Sequence, residues 1–319
     1  YEEFVQVGVP VDPLAFDTPR IPLSAQEIAE SSILTDDFYP SLALTYIRPN
    51  FLADEFQLRL GWSETVARPD LREISESTFI DPLTEARVRG NPGLVPSDIT
   101  NYDFRAEWFW AEGDQLTVSL FWKDIADPIE TVQGAATEDN ILFNFLNAET
   151  AETYGVEVEA LKSMGFLEDW LGRWTDTLYV SGNLTLSDSE LDLGAATGAG
   201  NLTNRVRRMT QHSRYVVNLQ VGWDSLDNRH GVTLAFNTFG ERLFYAGING
   251  FEDAFQQPLD SLDFTYSWYP TDAITLKLRA RNLLNDNIEI EQPDAEGRPV
   301  TVLEQELGTT LSASFKWSL

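Results

Sequence analysis

Hydrophobic and polar residues alternate with a period of two along much of the chain. Between Leu311 and Leu319, apolar residues at every second position are separated by Ser and Lys. Similar alternation runs through Ile274–Arg281, Leu178–Ser187 and Tyr102–Trp110. Successive side chains of a β-strand point to opposite faces, so each segment has one apolar face and one polar face. The pattern predicts about twelve strands of roughly nine to eleven residues, the length that a tilted strand needs to cross a bilayer.

Connections between these strands alternate between short and long. The short ones lie at Pro49–Glu55, Glu112–Asp114, Asp224–Gly231 and Pro270–Ala273. The long ones span roughly Pro13–Phe38, Pro69–Ile99, Asp124–Asn147, Asp188–Gln211, Gly240–Gln257 and Asn285–Pro299. This asymmetry is typical of transmembrane barrels, in which the turns are periplasmic and the loops extracellular. The exception is Ser163–Thr175, which is longer than the other turns and is predicted to form an interfacial helical turn.

Tryptophan positions agree with this orientation. The four that fall at or next to the turn ends of strands are Trp110, Trp223, Trp268 and Trp317. Tryptophan prefers the boundary between hydrocarbon and headgroups, so these residues are predicted to form an interfacial aromatic girdle.

A soluble β-sandwich is the alternative reading of the alternation, because it also has one packed face and one wet face. The polar face of the predicted strands carries charges that include Glu157, Glu159, Arg279 and Arg281. A charged inner face indicates a hydrated or plugged lumen and favours the antiparallel transmembrane barrel.

Composition excludes several classes of function. The 319 residues contain 22 Lys plus Arg and 51 Asp plus Glu, a formal net charge of −29, which would repel nucleic acid. Cysteine is absent and only two His are present, so thiolate chemistry and a multi-His metal centre are not expected. The sequence begins in a strand pattern at Tyr1, which suggests a fragment that lacks its signal and N-terminal region.

Several segments resemble the barrel of TonB-dependent outer-membrane receptors. They are Arg68-Pro69-Asp70-Leu71, Gly90–Pro96, Thr100–Asp103, Asn147–Glu149, Tyr154–Glu159 and Arg281–Asn285. The family usually closes on an aromatic residue, whereas this chain closes on Leu319 with Trp317 two positions earlier.

The resemblance implies an all-β fold in which these strands form about the last 12 of a ~22-stranded barrel. Residues 1–319 would then be the C-terminal half of the barrel, with the plug domain and the first half absent from this sequence. The implied function is active uptake of a scarce nutrient, such as a ferric siderophore or an oligosaccharide, without bond chemistry. The implied partners are the nutrient ligand, outer-membrane lipid with lipopolysaccharide, and TonB, which would bind through the missing N-terminal region.

Two other classes of function stay open at this point. A complete twelve-stranded passive or secretion pore would need no plug. An outer-membrane hydrolase would use His212 and Ser213, although adjacent strand residues point to opposite faces and cannot form a catalytic pair by themselves. Glu157 and Glu159 share a face as glycosidase carboxylates do, but they equally suit a lumenal wall.

Aromatic and basic residues of the long loops are the candidate ligand contacts, because sugars and aromatic chelates are held by stacking and a few polar groups. The aromatic candidates are Phe143, Phe145, Phe244, Tyr245, Phe251 and Phe255. The basic candidates are Arg205, Arg207 and Arg208, which form a dense run with Arg214. Alternatively, the aromatics cover their own loops and the arginines pair with acidic neighbours.

Acidic residues gather in the same loops. Carboxylates suit Ca²⁺, but no segment has the spacing of a twelve-residue calcium loop, so loop-bound Ca²⁺ is a weak prediction and no cofactor is expected. The other interpretation is a solvated acidic rim that divalent ions bridge to lipopolysaccharide.

Overall fold

The computed structural model describes residues 2–7, 32–75, 78–81, 86–110, 113–134, 142–195 and 201–318. The strands are β1 (Glu2–Val7), β2 (Ser32–Asp37), β3 (Ser41–Pro49), β4 (Glu55–Ala67), β5 (Thr78–Ile80), β6 (Arg87–Arg89), β7 (Ser97–Phe109), β8 (Gln115–Ala126), β9 (Ile129–Gly134), β10 (Leu142–Asn147), β11 (Thr150–Ser163), β12 (Leu178–Asp192), β13 (Val206–Arg207), β14 (Tyr215–Asp224), β15 (His230–Phe239), β16 (Arg242–Tyr245), β17 (Ala254–Gln256), β18 (Ser261–Thr271), β19 (Ile274–Arg281), β20 (Ile288–Pro293), β21 (Pro299–Gln305) and β22 (Thr310–Trp317). The α-helices are Leu71–Ile74 and Glu168–Leu171, and the 3₁₀ helices are Gly165–Leu167 and Arg173–Thr177. None of the described helices is long and apolar enough to cross a membrane.

One antiparallel sheet, called the wall below, forms most of the described structure. Its order is β3, β4, β7, β8, β11, β12, β14, β15, β18, β19 and β22, and β13 adds a short pairing to β12. Every pair is antiparallel and consecutive, as in an up-and-down barrel. Among the described residues the wall ends at β3 and β22 without closing on itself, and β1 pairs with β2 in a separate two-stranded sheet.

The outer face of the wall is apolar and exposed. Cross-strand pairing places Leu60, Phe104, Leu120, Val156 and Leu186 in one row across five strands. Leu60, Leu120 and Leu186 are 45%, 49% and 47% exposed. In water such a row would be a large apolar patch, whereas in a bilayer it is the lipid-facing surface.

The inner face is polar and crowded. Asn101, Glu107, Thr117, Ser189 and Ser267 lie on this face, and each is at most 8% exposed. Burial of polar side chains together with exposure of apolar ones is the reverse of a soluble sandwich, so the wall is part of a membrane barrel.

The predicted connections are confirmed at the turn end of the wall, where β3 meets β4 at Pro49–Glu55 and β18 meets β19 after Thr271. The Ser163–Thr175 connection is helical, as expected. The predicted strand length of nine to eleven residues fits β3, β14, β15 and β18, whereas β11 has 14 residues and β12 has 15. These two longer strands continue past the apolar band into the loops, which the alternation alone does not reveal.

The described residues of the long loops form a second layer, called the cap (the described parts of 68–96, 127–149, 193–214, 240–260 and 282–309). Short strands within these loops build two four-stranded sheets, with orders β5-β6-β10-β9 and β16-β17-β20-β21. Each sheet joins two loops that are distant in sequence, and β6 pairs with β10 in parallel. Strands of three to seven residues with such distant partners left no pattern in the sequence, and only part of the predicted loop Pro13–Phe38 falls within the described residues.

Two apolar cores hold the cap together. The first contains the buried cap residues Val132, Leu146, Ala148, Leu193, Leu202 and Ala246, together with Ala151 and Leu191 from the loop ends of wall strands β11 and β12. The second contains Ala86, Val88, Phe143, Tyr245, Ala254 and Ile290. Most of the buried apolar side chains of the described structure therefore lie in the cap, and the wall depends on its surroundings for apolar contact.

The family-like segments act as clamps between loops. Asp70 caps the helix Leu71–Ile74, with its backbone N–H donating to Glu73 Oε2 at 2.7 Å. Asn147 Nδ2 donates to the carbonyls of Val95 and Asp127 at 2.9 and 2.7 Å. A Cβ atom added at Gly90 would lie 2.2 Å from the carbonyl oxygen of Ser75, so only glycine permits this close approach.

Candidate functional site

The inner wall carries a charged network on its β4–β11 side. Arg59 Nε and Arg105 Nε both lie 3.0 Å from the Glu107 carboxylate, and Arg105 Nη2 lies 3.6 Å from Glu159 Oε2. The Glu107 side chain is only 7% exposed, so two guanidinium groups offset the cost of burying its charge. Glu157 lies beside this network and accepts a hydrogen bond from Thr185 Oγ1 at 3.1 Å. Glu157 and Glu159 therefore both contact polar or charged side chains of the lumenal face.

An uncharged amide ladder follows on β12, β14 and β15. Asn218 Nδ2 donates to Asn183 Oδ1 at 2.6 Å, and Asn237 Nδ2 donates to Asn218 Oδ1. Gln220 Nε2 donates to Tyr179 Oη at 3.0 Å. These amides line a cavity of about 530 Å³. They offer both donors and acceptors to a polar molecule in the lumen.

The β19–β22 side of the inner face is cationic. Cross-strand register places Lys277, Arg279, Arg281 and Lys316 on the face that also carries the serines of β22. None of these four cations forms an ion pair with another described residue. Across the described lumen, electrostatic character changes from paired charges, through amides, to a stripe of cations without an ionic partner.

The predicted arginines lie at the junction of cap and wall. Arg207 Nη2 lies 3.1 Å from Glu130 Oε2, and both side chains are 3% exposed. Thr210 Oγ1 donates to the same carboxylate oxygen at 2.9 Å. This pair ties the loop after β12 to β9. A guanidinium buried in this way has little surface left for a ligand.

The other arginines are partly exposed. Arg208 Nε and Arg214 Nε lie 3.5 and 3.8 Å from the Asp188 carboxylate. Arg205 Nη2 donates to the carbonyl of Gly194. A ligand contact of Arg205 or Arg208 stays a prediction.

The predicted aromatics separate into buried and exposed groups. Phe143 and Tyr245 are 7% and 8% exposed, and their ring centroids lie 5.9 Å apart in the second cap core. Burial raises the pKa of the Tyr245 hydroxyl. Phe145 and Phe244 pack against the same core, and Phe255 is half-buried. Phe251, at 66% exposed, is the aromatic of this set that keeps an accessible ring.

His212 does not pair with Ser213. Its Nε2 lies 3.1 Å from Ser187 Oγ, while its Nδ1 is buried and has no hydrogen-bond partner among the described residues. Burial lowers the pKa of His212; nearby Asp188 opposes this shift and Arg208 adds to it. A neutral histidine without a carboxylate at Nδ1 lacks the orienting group that a hydrolase needs.

All four predicted girdle tryptophans lie on the outer face at the turn end. Trp110 Nε1 donates to the carbonyl of Leu52 at 3.0 Å, and Trp223 Nε1 donates to the carbonyl of Trp174 at 2.9 Å. Trp268 stacks on His230 with centroids 6.3 Å apart, and Trp317 is 64% exposed on β22. Their contact with lipid headgroups remains a prediction.

A second aromatic row, not recognised in the sequence, lies on the outer face near the loop end. Pairing aligns Trp62, Tyr102, Trp122 and Tyr154, and the last two rings stack at 5.2 Å. Along β7, Tyr102 and Trp110 are separated by about 26 Å of extended strand, which tilt shortens to about 20 Å across the membrane. The two rows therefore bracket an apolar band slightly lower than the about 25 Å that is typical of outer-membrane barrels.

An acidic row lies directly beyond this second aromatic row. Register aligns Glu64, Thr100, Asp124, Glu152 and Glu190 on the outer face. Part of this row borders a surface depression of about 470 Å³. Within the described ranges, no group of three or more His, Asp or Glu side chains is arranged to hold a metal ion. Loop-bound Ca²⁺ stays a prediction.

Comparison with known proteins identifies the family. Residues 16–283 match the family described as "TonB dependent receptor-like, beta-barrel". The chain belongs to the TonB-dependent receptor family. No curated protein sequence matches this receptor chain. Members of the family are outer-membrane transport receptors, which favours transport over the hydrolase alternative.

Solved structures share the architecture of this receptor chain. A mutant of the ferric enterobactin receptor of Pseudomonas aeruginosa has 17% identity and a TM-score of 0.57, with 89% of this chain and 40% of that chain covered. The siderophore receptor PirA of Acinetobacter baumannii has 15% identity and a TM-score of 0.55, covering 90% of this chain and 41% of that one. The FrpB iron transporter of Neisseria meningitidis has 11% identity and a TM-score of 0.55, covering 90% and 39%. At these identities the likeness shows the fold alone, and the receptor chain spans about 40% of the length of these structures.

Sequence reasoning missed three features of the receptor: the amide ladder, the second aromatic row and the cation stripe as one surface. Each consists of residues aligned across strands, such as Asn183, Asn218 and Asn237. Strand register, which sets the alignment, depends on pairing and cannot be read from one strand. The available signal was the recurrence of Asn or Trp at matching heights of successive strands.

Proposed function

We propose that the receptor containing this chain imports a ferric siderophore across the bacterial outer membrane, with energy delivered through TonB. The observation that carries the proposal is the stripe formed by Lys277, Arg279, Arg281 and Lys316. Four inward cations without an ionic partner among the described residues would attract an anionic iron chelate in a chain whose net charge is −29. Low dielectric walls would strengthen this local attraction against the distant acidic surface.

The cations favour a siderophore over an oligosaccharide, because a neutral sugar gains little from a cationic surface. Phe143 and Tyr245 are buried in the cap, so neither ring is free to stack on a sugar or on an aromatic chelate. The structural neighbours named above are iron or siderophore receptors by their titles, which agrees with this choice.

In this proposal, a plug domain and the remaining strands complete the barrel, and TonB binds through an N-terminal segment. The open edges at β3 and β22 support further pairing, because unpaired backbone groups are costly in lipid.

The acidic outer row, including Asp124 and Glu190, meets lipopolysaccharide through shared divalent ions. Chelation should then release lipopolysaccharide from the purified receptor, and the Asp124→Asn/Glu190→Gln variant should already lack that fraction. Equal retention by the two proteins would contradict this contact.

Uptake of radiolabelled iron tests the function. Cells that carry a deletion of the full gene should lose uptake of one ferric siderophore, and the full gene should restore it. The Arg279→Gln/Arg281→Gln double variant should bind that chelate at least about tenfold more weakly, since a charge-assisted hydrogen bond contributes about 1.5–3 kcal/mol.

Arg298→Gln is the matched control, because Arg298 is an exposed guanidinium paired with Asp294 at 2.7 Å on the β20–β21 hairpin. It should leave affinity unchanged. Unchanged uptake of every iron chelate in the deletion strain, with lost growth on an oligosaccharide, would overturn the siderophore assignment.

A further inference from the structure

The connection between β11 and β12 exposes an unusual number of apolar side chains at the turn end of the wall. Its helical residues Gly165–Thr177 are called the turn helices below. Phe166 is 65% exposed, Trp170 87%, Leu171 56% and Trp174 46%. Four large apolar side chains within nine residues form a patch that water does not favour. Something apolar is expected to cover it.

The turn helices are held firmly in place. At one end Asp114 Oδ1 accepts from the backbone N–H of Ser163 at 2.7 Å, and Lys162 Nζ pairs with the same carboxylate. These contacts hold the pKa of Asp114 below its usual range, so the carboxylate stays charged. At the other end Thr177 Oγ1 donates to the carbonyl of Asp224. The patch is therefore presented by a fixed scaffold.

The apolar patch of the turn helices adjoins the lipid-facing surface of the wall. Trp223 Nε1 donates to the carbonyl of Trp174 at 2.9 Å. Trp223 itself lies on the outer face, aligned with Leu178 and Val232. The patch consequently lies below the outer face, at the level of the predicted girdle, instead of below the lumen.

Charged groups around the patch fit a headgroup region. Lys162, on the outer face, holds its ammonium 5.3 Å from the centre of the Phe166 ring. Arg173 lies on the turn helices next to Glu168, at 3.8 Å. Cations beside aromatic rings are typical of membrane interfaces, where the ring lies among headgroups and the cation reaches phosphate.

We propose that the turn helices are an interfacial anchor, with Phe166, Trp170, Leu171 and Trp174 embedded in the phospholipid headgroup region of the periplasmic leaflet. The anchor goes beyond nutrient uptake and does not depend on which ligand is carried. It fixes the height of the barrel at a point where the other connections are short turns. Interfacial helices of this kind bind through their buried apolar area.

Depth of a spin label tests the anchor. The 319-residue sequence contains no cysteine, so Trp170→Cys introduces a single labelling position into it. The full-length receptor, with any cysteine elsewhere replaced, would be placed in nanodiscs of phosphatidylethanolamine and phosphatidylglycerol. The label at position 170 should collide with oxygen several times more often, relative to a water-soluble nickel complex, than a label at Asp272→Cys.

Asp272 is the matched control because it is an exposed residue of the short β18–β19 turn at the same end of the wall. Trp170 is almost fully exposed, so its replacement should not disturb folding, which resistance of the barrel to detergent at room temperature would verify. Equal nickel access at positions 170 and 272 would overturn the proposal, because it would show that the patch is exposed to water. A surface that docks another protein would behave in this way in nanodiscs that lack that protein.

Discussion

The wall and the cap of this receptor follow opposite rules of burial. In the wall, Leu120 is 49% exposed while Thr117, three residues away, is 2% exposed. In the cap, Leu193 and Ile290 are fully buried. The difference follows from the solvent: lipid covers the outer wall, whereas water surrounds the cap, which must form its own apolar cores.

The wall and the cap also differ in what stabilises them. The wall relies on regular backbone pairing and on the bilayer, because an antiparallel barrel satisfies its polar backbone groups internally. The cap relies on side-chain packing and a few buried polar contacts between loops. Substitutions should therefore act by different mechanisms in the two regions.

The largest effect is expected at the buried cap pair. Arg207→Met leaves the Glu130 carboxylate buried without its 3.1 Å partner, and breaking such a pair costs about 3–5 kcal/mol. Limited proteolysis of the full receptor should then cut the cap loops while the wall stays intact. The Arg207→Met/Glu130→Leu variant should recover most of the protection. Unchanged protease resistance in Arg207→Met would contradict the role of this pair.

A similar but smaller effect is expected in the wall. Leu184→Arg places a charge on the lipid face and should destabilise the receptor by about 2–4 kcal/mol. Ser181→Arg, three residues earlier on the inner face, should change stability by no more than about 0.5 kcal/mol. Urea unfolding in lipid vesicles measures both. Equal costs for the two variants would argue that the outer face does not contact lipid.

Alanine substitutions of exposed and buried aromatic residues in the cap should have different effects. Phe251→Ala should weaken ligand binding two- to tenfold, as expected for loss of about 0.5–1.5 kcal/mol of aromatic contact, with the cap still protected from protease. Phe143→Ala should instead open the cap, because it removes a ring from the core. Normal affinity of the Phe251 variant would remove this residue from the ligand site.

The smallest effect concerns pH. Burial lowers the pKa of His212 from 6.5, so the unfolded loop binds a proton more readily than the folded one. The stabilisation is complete above pH 6.5 and is lost as pH falls through the folded-state pKa. Hydrogen exchange around residues 208–214 should therefore quicken on acidification. His212→Gln should remove this pH dependence, and an unchanged profile in that variant would assign it to another group.

Sequence alone was enough to predict the wall, because period-two alternation is a local property of each strand. Ile274–Arg281 reads as a strand with one apolar face whatever its partners are, and the positions of the short turns follow from where the alternation stops. The segments that resemble the family, such as Gly90–Pro96 and Asn147, could be recognised in the sequence as motifs. That they connect loops is shown only by the hydrogen bonds of Asn147.

Tertiary structure decided the cap and the candidate ligand surface. Phe143 and Tyr245 belong to loops about a hundred residues apart, and nothing in either loop predicts that the two rings meet in one core. Arg207 and Glu130 are 77 residues apart, so the sequence shows two charges and only the fold shows a buried pair. The sequence thus determined which residues face lipid and which face the lumen, since that choice is made within each strand. Which loop residues remain free for a ligand was decided by contacts between distant segments, which no local pattern encodes.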